Sequence, residues 1–348
     1  MPSFSLPDFI TTLSAAGAKP TAKYIFEADN HESYRNSRIP ALVDLSKSQY
    51  DADSGTSYWL SSFITGTNNK QYLALSHVLT KGPVDDVCRS SVLDLATLEY
   101  WVHLEYCLPQ SRAYDTSQPL SVDFGSYTFG STSNDSISNM YATVKTNASF
   151  SFDLQWETKT KVLLNGGAGV ISFGPGPTNA TELGFPGCKS TGSLTLNGTD
   201  IAIDPARSFT WYDRQLSYGA GKNWTWFEVN FPGTDIKASI WSYLLPDDTV
   251  WSYATVRRGE SILVLAYDLV PDMSNVWVSP KSNFVYPLSW RLNFENGDFL
   301  DIVSVRADQE MYGPNNLVDS AYEGFITVSG KFLGQAKGFG VVELVTIY

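Results

Sequence analysis

A chain of 348 residues with 43% hydrophobic and 17% charged side chains is globular and too long for one ordinary core, so two domains suit it. A formal net charge of -12 argues against a nucleic-acid partner, because a polyanion is bound by Lys and Arg gathered on one face and no such cluster occurs. No uncharged apolar run approaches the roughly 18 residues of a membrane span.

Residues 1 to about 50 show no sustained period and are expected to wrap the first domain. The start, Met1-Pro2-Ser3-Phe4-Ser5, lacks the basic and apolar stretches of a signal peptide. From Tyr58 onward the chain reads as strands: Tyr72–Val78, Ser121–Phe124, Ser149–Trp156 and Lys161–Leu164 alternate apolar and polar residues between turn formers. Ser91–Tyr106 fits a helix or a strand. The Gly-rich stretch 166–177 lacks the Gly-Lys-Ser/Thr ending that cradles phosphate and is expected to be a structural loop. Further strands are expected at Trp224–Phe231, Ile236–Leu245, Val250–Val256, Ser261–Asp268, Val276–Ser279, Tyr286–Phe294, Phe299–Val305, Gly324–Ser329 and Gly338–Leu344. So many short strands predict an all-β protein of antiparallel barrels or sandwiches.

The chain repeats itself. Trp59 and Gly66 stand seven apart, as do Trp226 and Gly233, and Gly192–Gly198 shares a Gly-x-aliphatic-Thr-aliphatic-x-Gly pattern with Gly324–Gly330. An acid follows in each copy, Asp213 after Trp211-Tyr212 and Glu343 after Val341-Val342. Two related β domains are expected, over residues 1–218 and 219–348, with a site where they meet.

Cys88, Cys107 and Cys188 allow one disulfide and leave one thiol over, with the pairing open. His31, His77 and His103 are isolated from one another, so no metal is expected. Five sequons, at Asn134, Asn147, Asn179, Asn197 and Asn223, favour the secretory pathway with a signal segment outside this sequence; a cytoplasmic location is the alternative.

No nucleophile elbow, His-Glu-x-x-His helix or Cys-His signature is present, so acid-base work falls to carboxylates, tyrosines and arginines. The densest constellation is Ser208–Gln215 followed by Asn223–Phe227. On a strand, Trp211, Asp213 and Gln215 share one face and Tyr212 and Arg214 the other. An Asp among aromatic rings is desolvated, which raises its pKa, whereas a neighbouring Arg214 lowers it. Such a group delivers a proton to an alkene or a departing hydroxyl, with ring faces stabilising the cation; the competing reading is an Asp213–Arg214 ion pair locking a corner. Glu323, opening a strand, is a pocket acid or a solvated edge residue. Trp290 with Arg291 is a ligand clamp or a stacked structural pair, and His77 a pocket group or a hydrogen-bonded barrel histidine.

Trp211-Tyr212-Asp213-Arg214-Gln215, Trp224 to Phe227, Tyr286 to Trp290, Asp308-Gln309-Glu310, Tyr322 to Gly330 and Gly338 to Leu344 together resemble the tandem lipocalin-like family of carotenoid hydratase (hydroxyneurosporene synthase). Within it they are similar to the fungal branch of kievitone hydratase and the lipocalin-like Diels-Alderases and hetero-Diels-Alderases. The resemblance covers most of the chain from Tyr58. It implies two lipocalin-like β domains in tandem, an apolar pocket inside or between them, and chemistry without a cofactor. It makes Asp213 the acid, with Tyr212 and Trp211 beside it, although Arg214 and Gln215 stand where the family often has His or Trp. Trp59, His77, Trp226, Trp290, Arg291, Gln215 and Glu323 complete the expected substrate contacts.

The expected function is a fungal specialised-metabolism cyclase catalysing a Diels-Alder-type or hetero-Diels-Alder-type cycloaddition of an apolar polyunsaturated substrate, after acid-assisted loss of water to a quinone methide. The alternatives are a hydratase adding water to a prenyl double bond and a non-catalytic lipocalin-like carrier. The expected partner is an apolar polyketide, terpenoid or prenylated phenolic.

Overall fold

The computed structural model describes residues 22–51, 55–80, 86–109, 111, 115–146, 149–174 and 178–346. Strands dominate it, and helical structure among the described residues is confined to short 3-10 turns. The period-two alternation seen in the sequence is what the fold uses. Successive side chains of Gly55–Thr65 go to opposite faces, so Tyr58, Leu60 and Ile64 enter one core and Trp59 and Phe63 another.

The first sheet runs, neighbour by neighbour, through Tyr100–Cys107, Asp86–Asp94, Gln71–Thr80, Gly55–Thr65, Phe209–Ser217, Asn179–Leu196, Phe150–Glu157, Asn139–Lys145, Tyr127–Ser131 and Ser121–Asp123. The second runs through Phe299–Ser304, Ser289–Phe294, Ser261–Pro271, Val250–Arg258, Ile236–Leu244, Asn223–Asn230, Gln335–Thr346 and Ala321–Phe332. Phe299–Ser304 also pairs with Ala321–Phe332, which closes this second sheet into a barrel. Each sheet wraps its own apolar core, and a third core, containing Phe26, Trp59, Phe63, Trp211, Trp226, Trp241, Phe325 and Phe339, lies between them.

Several expectations are refined. Ser91–Tyr106 is two strands joined by a tight turn at 95–98, with Leu98 at φ 61°. The stretch expected at Tyr286–Phe294 divides into Val285–Pro287 and Ser289–Phe294, and the short strand Glu310–Met311 has no counterpart among the expected ones. The described part of the Gly-rich segment is a 3-10 turn and the strand Val170–Ser172, as a structural connection requires. Cys88 and Cys107 form the disulfide, tying the edge strand to its neighbour, and Cys188 is free and buried.

The duplication survives in the hydrogen-bond register. Trp59 is the register partner of Asp213, and Trp226 that of Glu343. The glycine motif needs realignment. Gly192 and Gly330 are the true counterparts, at φ +124° and +149°, where a Cβ would lie 2.0 Å from the Asp153 carbonyl oxygen and 2.3 Å from that of Phe299. Only glycine lets the neighbouring strand approach so closely, so the shared pattern marks the same bend read one motif length out of step.

Candidate active site

Partners directly opposite each other in antiparallel strands project to the same face, so a row across a sheet becomes a wall. In the first sheet Gly184, Asp213, Trp59, His77 and Arg89 form such a row. In the second, Glu323, Glu343, Trp226, Trp241 and Tyr253 occupy the corresponding places. The rows meet where Trp59 stands edge-on to Trp226, with ring centroids 4.9 Å apart at 86°. Between them lies a chamber of about 480 Å³, lined by Trp59, His77, Arg89, Phe173, Glu182, Asp213, Gln215, Trp224, Trp226, Trp241 and Glu343, with Tyr218, Gly219 and Val318 also on its wall.

Two carboxyl pairs stand at its wall, with Glu182, Asp213 and Glu343 lining the space and Glu323 buried behind it. Glu182 is hydrogen-bonded to Asp213, whose Oδ2 also accepts from Trp211 Nε1 at 3.1 Å. Burial raises both pKa values, Glu182 well above the carboxyl range, and the Asp213 charge lifts Glu182 further. The two carboxyls therefore share one proton at neutral pH. The second pair is Glu323 and Glu343. Glu323 Oε2 accepts from Trp59 Nε1, and Glu343 Oε2 from Trp224 Nε1, each at 3.0 Å. Arg89 Nη2 lies 2.8 Å from Glu323 Oε1 and 3.0 Å from Glu343 Oε1. Burial pushes Glu323 up, but the Arg89 charge, with the hydrogen bond from Trp59, outweighs it and holds Glu323 ionised; burial and the Glu323 charge keep Glu343 raised.

His77 Nδ1 accepts from Arg89 Nη2 at 2.7 Å, leaving Nε2 to donate to Ser57 Oγ at 2.8 Å. Burial and the Arg89 charge bring its pKa down to about 4, so the ring is neutral and its 3.4 Å approach to Glu323 is not an ion pair. His77, Glu323 and Glu343 bring ligand atoms within 4.8 Å of one another, a spacing that suits a metal. The Arg89 guanidinium already supplies the positive charge in their midst, so a second cation there would be repelled.

Of the residues singled out in the sequence, Trp59, His77, Gln215, Asp213 and Trp226 line the chamber, and Trp211 and Glu323 hold its walls through the bonds above. Glu323 is fully buried, which corrects the solvated-edge reading. Tyr212 does not reach the chamber. Strand alternation turns it into the first sheet's core, where its hydroxyl donates to Gln49 Oε1 at 3.0 Å. Arg214 follows it, donating to the carbonyls of Gln49, Tyr50 and Ser57 over the Tyr58 ring, so the Asp213–Arg214 ion pair does not form. Trp290 packs on Phe227 in the second barrel's core, and Arg291 is exposed and paired with Asp301, both remote from the site. Asn134, Asn179, Asn197 and Asn223 are exposed, and Asn147 lies outside the described residues. Sequence reasoning missed Glu182 and Arg89, and named Glu343 only as a repeat partner.

One consequence concerns stability. Glu228 is buried beneath the same interface, accepting from Ser61 and from Asn230 Nδ2, and burial, offset in part by these donors and Lys237, lifts its pKa to about 8. Raised acids contribute stability that is complete below their ordinary pKa and lost as pH rises through the folded value. Glu228 and Glu343 therefore predict that the thermal midpoint falls between about pH 5 and pH 9, by a few kcal/mol of linkage. Melting curves at constant ionic strength check this; a midpoint that is flat or rises over that interval contradicts it.

A model of the AttH-like family matches residues 91–348. Kievitone hydratase of Fusarium solani subsp. phaseoli is 36% identical over 344 residues, 97% of this chain and 95% of that protein. Dehydratase asqC of Emericella nidulans is 33% identical over 354 residues, 97% of this chain and 99% of that protein. The crystal structure of kievitone hydratase from Nectria haematococca matches with a TM-score of 0.85 at 35% identity, covering 93% of this chain and 98% of that one. CghA in complex with Sch210972 shares the fold at 11% identity and a TM-score of 0.59, over 93% of this chain and 98% of that one.

Proposed function

We infer, from the premise that this chain belongs to the AttH-like family, that it is a hydro-lyase adding water to, or removing it from, an apolar unsaturated small molecule held in the chamber. The observation that carries this reading is the Glu182–Asp213 pair, one proton shared between two buried carboxyls on an aromatic wall. In the direction of water loss, the proton shared by the Glu182–Asp213 pair passes to the substrate hydroxyl, and the C–O bond breaks with both electrons leaving as water. The resulting cation is faced by the Trp59, Trp226 and Trp241 rings, whose negative faces stabilise it. A proton from the adjacent carbon then passes to a carboxylate of the pair, which regains its single proton. Hydration is the reverse of the same steps. Both proton transfers are met by side chains, so the reading calls for no cofactor. The substrate class is a prenylated phenolic, terpenoid or polyketide, matched to the cluster of indole and phenyl rings that Trp59, Phe173, Trp224, Trp226 and Trp241 contribute to the walls.

The test is isotopic. A prenylated phenol or its tertiary-alcohol hydrate, incubated with the protein in water enriched in heavy oxygen and deuterium, gains solvent oxygen on hydration and solvent deuterium at the adjacent carbon. A product of unchanged mass opposes the hydro-lyase reading, and no turnover with tight binding marks a carrier. Cycloaddition after water loss is the second reading, favoured by the enclosing rings, since holding two π systems in near-attack geometry can lower a barrier by several kcal/mol. It predicts a cyclic isomer of the dehydrated compound at a stereoisomer ratio different from that in buffer. The Cys88–Cys107 disulfide and the four exposed sequon asparagines support passage through the secretory pathway.

A further inference from the structure

Buried polar atoms are almost always hydrogen-bonded, and those that are not ask for a partner that arrives from outside the chain. Among the described residues, three such atoms belong to one end of the chamber. Glu182 Oε2, Gln215 Nε2 and Trp241 Nε1 are buried without a hydrogen-bond partner, and all three residues line the chamber wall. Glu182 is 1% exposed and Trp241 3%. Glu182 and Gln215 are register partners on adjacent strands of the first sheet, and Trp241 comes from the facing row of the second.

The other end of the chamber differs. There the indoles of Trp59 and Trp224 donate to Glu323 and Glu343, and Arg89 bridges both acids, so these groups find their partners within the chain. The first sheet's arginine occupies the row position that Tyr253 takes in the second, so the counterpart of Arg89 at the Glu182 end is a tyrosine.

We propose that Glu182, Gln215 and Trp241 form the oxygen subsite of the chamber, binding the hydroxyl that a tertiary or allylic alcohol presents, or the water that replaces it. An alcohol oxygen accepts two hydrogen bonds and donates one. In the resting complex the Gln215 amide and the Trp241 indole supply two donors and a carboxyl oxygen of Glu182 accepts the alcohol proton; on protonation, the proton delivered by the carboxyl pair takes the place of one of these donors at the oxygen. The subsite fixes orientation: oxygen at the Glu182 end, the hydrocarbon tail against the Trp59, Trp226 and Phe173 rings. It rests on the hydro-lyase reading for its substrate class, but not for its binding chemistry.

The test therefore reads binding rather than turnover. The probes are dimethyl phenethyl carbinol and the hydrocarbon in which a methyl replaces its hydroxyl, titrated by tryptophan fluorescence into the wild-type chain, Gln215→Leu and Trp241→Phe. The ratio of the two dissociation constants cancels the difference in their own hydration. Each variant is expected to shift that ratio against the alcohol by about tenfold, one hydrogen bond's worth, while the hydrocarbon still binds and so reports an intact fold. A ratio that stays within about twofold of wild type in both variants overturns the subsite. The shift without isotope incorporation leaves the subsite standing and removes the hydro-lyase reading; incorporation with an unmoved ratio does the opposite.

Discussion

Asp213→Asn lowers kcat by about 10²- to 10⁴-fold while leaving an apolar ligand bound in the chamber, the range expected for losing one positioned acid-base group. Asn is nearly isosteric, and its amide can still face Glu182 and the Trp211 indole. The pH profile makes the effect diagnostic. Burial lifts Asp213 to about 6, so a pair that needs one proton and one charge becomes competent as pH rises through that value. The acidic limb of the wild-type profile follows from this ionisation, and it disappears in the variant. Stability moves the other way. An acid whose folded pKa is raised weakens the fold above that pKa, so removing the charge leaves the melting temperature near neutral pH unchanged or higher. Steady-state rates and melts across pH 4 to 9 test all three statements. A variant that keeps kcat to within about tenfold removes Asp213 from the chemistry, and one that loses activity only by unfolding does the same.

The sequence revealed the all-β class and the Asp213 wall because both depend on local periods. Alternation along Phe209–Ser217 places Phe209, Trp211 and Asp213 toward the second sheet and Tyr212 and Arg214 away from it, and nothing beyond the strand itself is needed to see this. The same rule, applied more strictly, withdraws Tyr212 as a catalytic candidate. Arg89 and Glu182 were hidden for a different reason. Arg89, His77, Trp59 and Asp213 are neighbours across strands, perpendicular to the chain, so their spacing in sequence is set by loop lengths and carries no motif. The repeat was the one signal that crosses strands. Aligning Trp59 with Trp226 carries Asp213 onto Glu343, so the internal repeat alone points to the second acid. Trp290 and Arg291 failed as site residues because a recurring motif also records core packing, and Trp290 fills the second barrel.

Replacing Arg89 by Met has the largest expected effect on the fold itself. The guanidinium is 3% exposed, lies within 3.0 Å of both Glu323 and Glu343, and donates to the Asp319 carbonyl, joining the first sheet to the second. Without it, two buried carboxyls share one site with no cation, and breaking such a cluster on one side costs about 3–5 kcal/mol. The loss depends on pH with a definite sign. In the wild type Glu323 is held low, so its contribution is present above its ordinary pKa and lost only as pH falls through about 2. In Arg89→Met the charge that held it low is gone, Glu323 rises with Glu343, and acid relieves the repulsion by protonating both. The destabilisation measured by denaturant titration is thus greatest near pH 8 and shrinks toward pH 4. Adding Glu323→Gln recovers most of it at pH 8, because the remaining Glu343 is free to stay protonated. A deficit that is independent of pH, or that the second substitution leaves untouched, means Arg89 supports the chamber by packing alone and not by deciding which acid carries the proton.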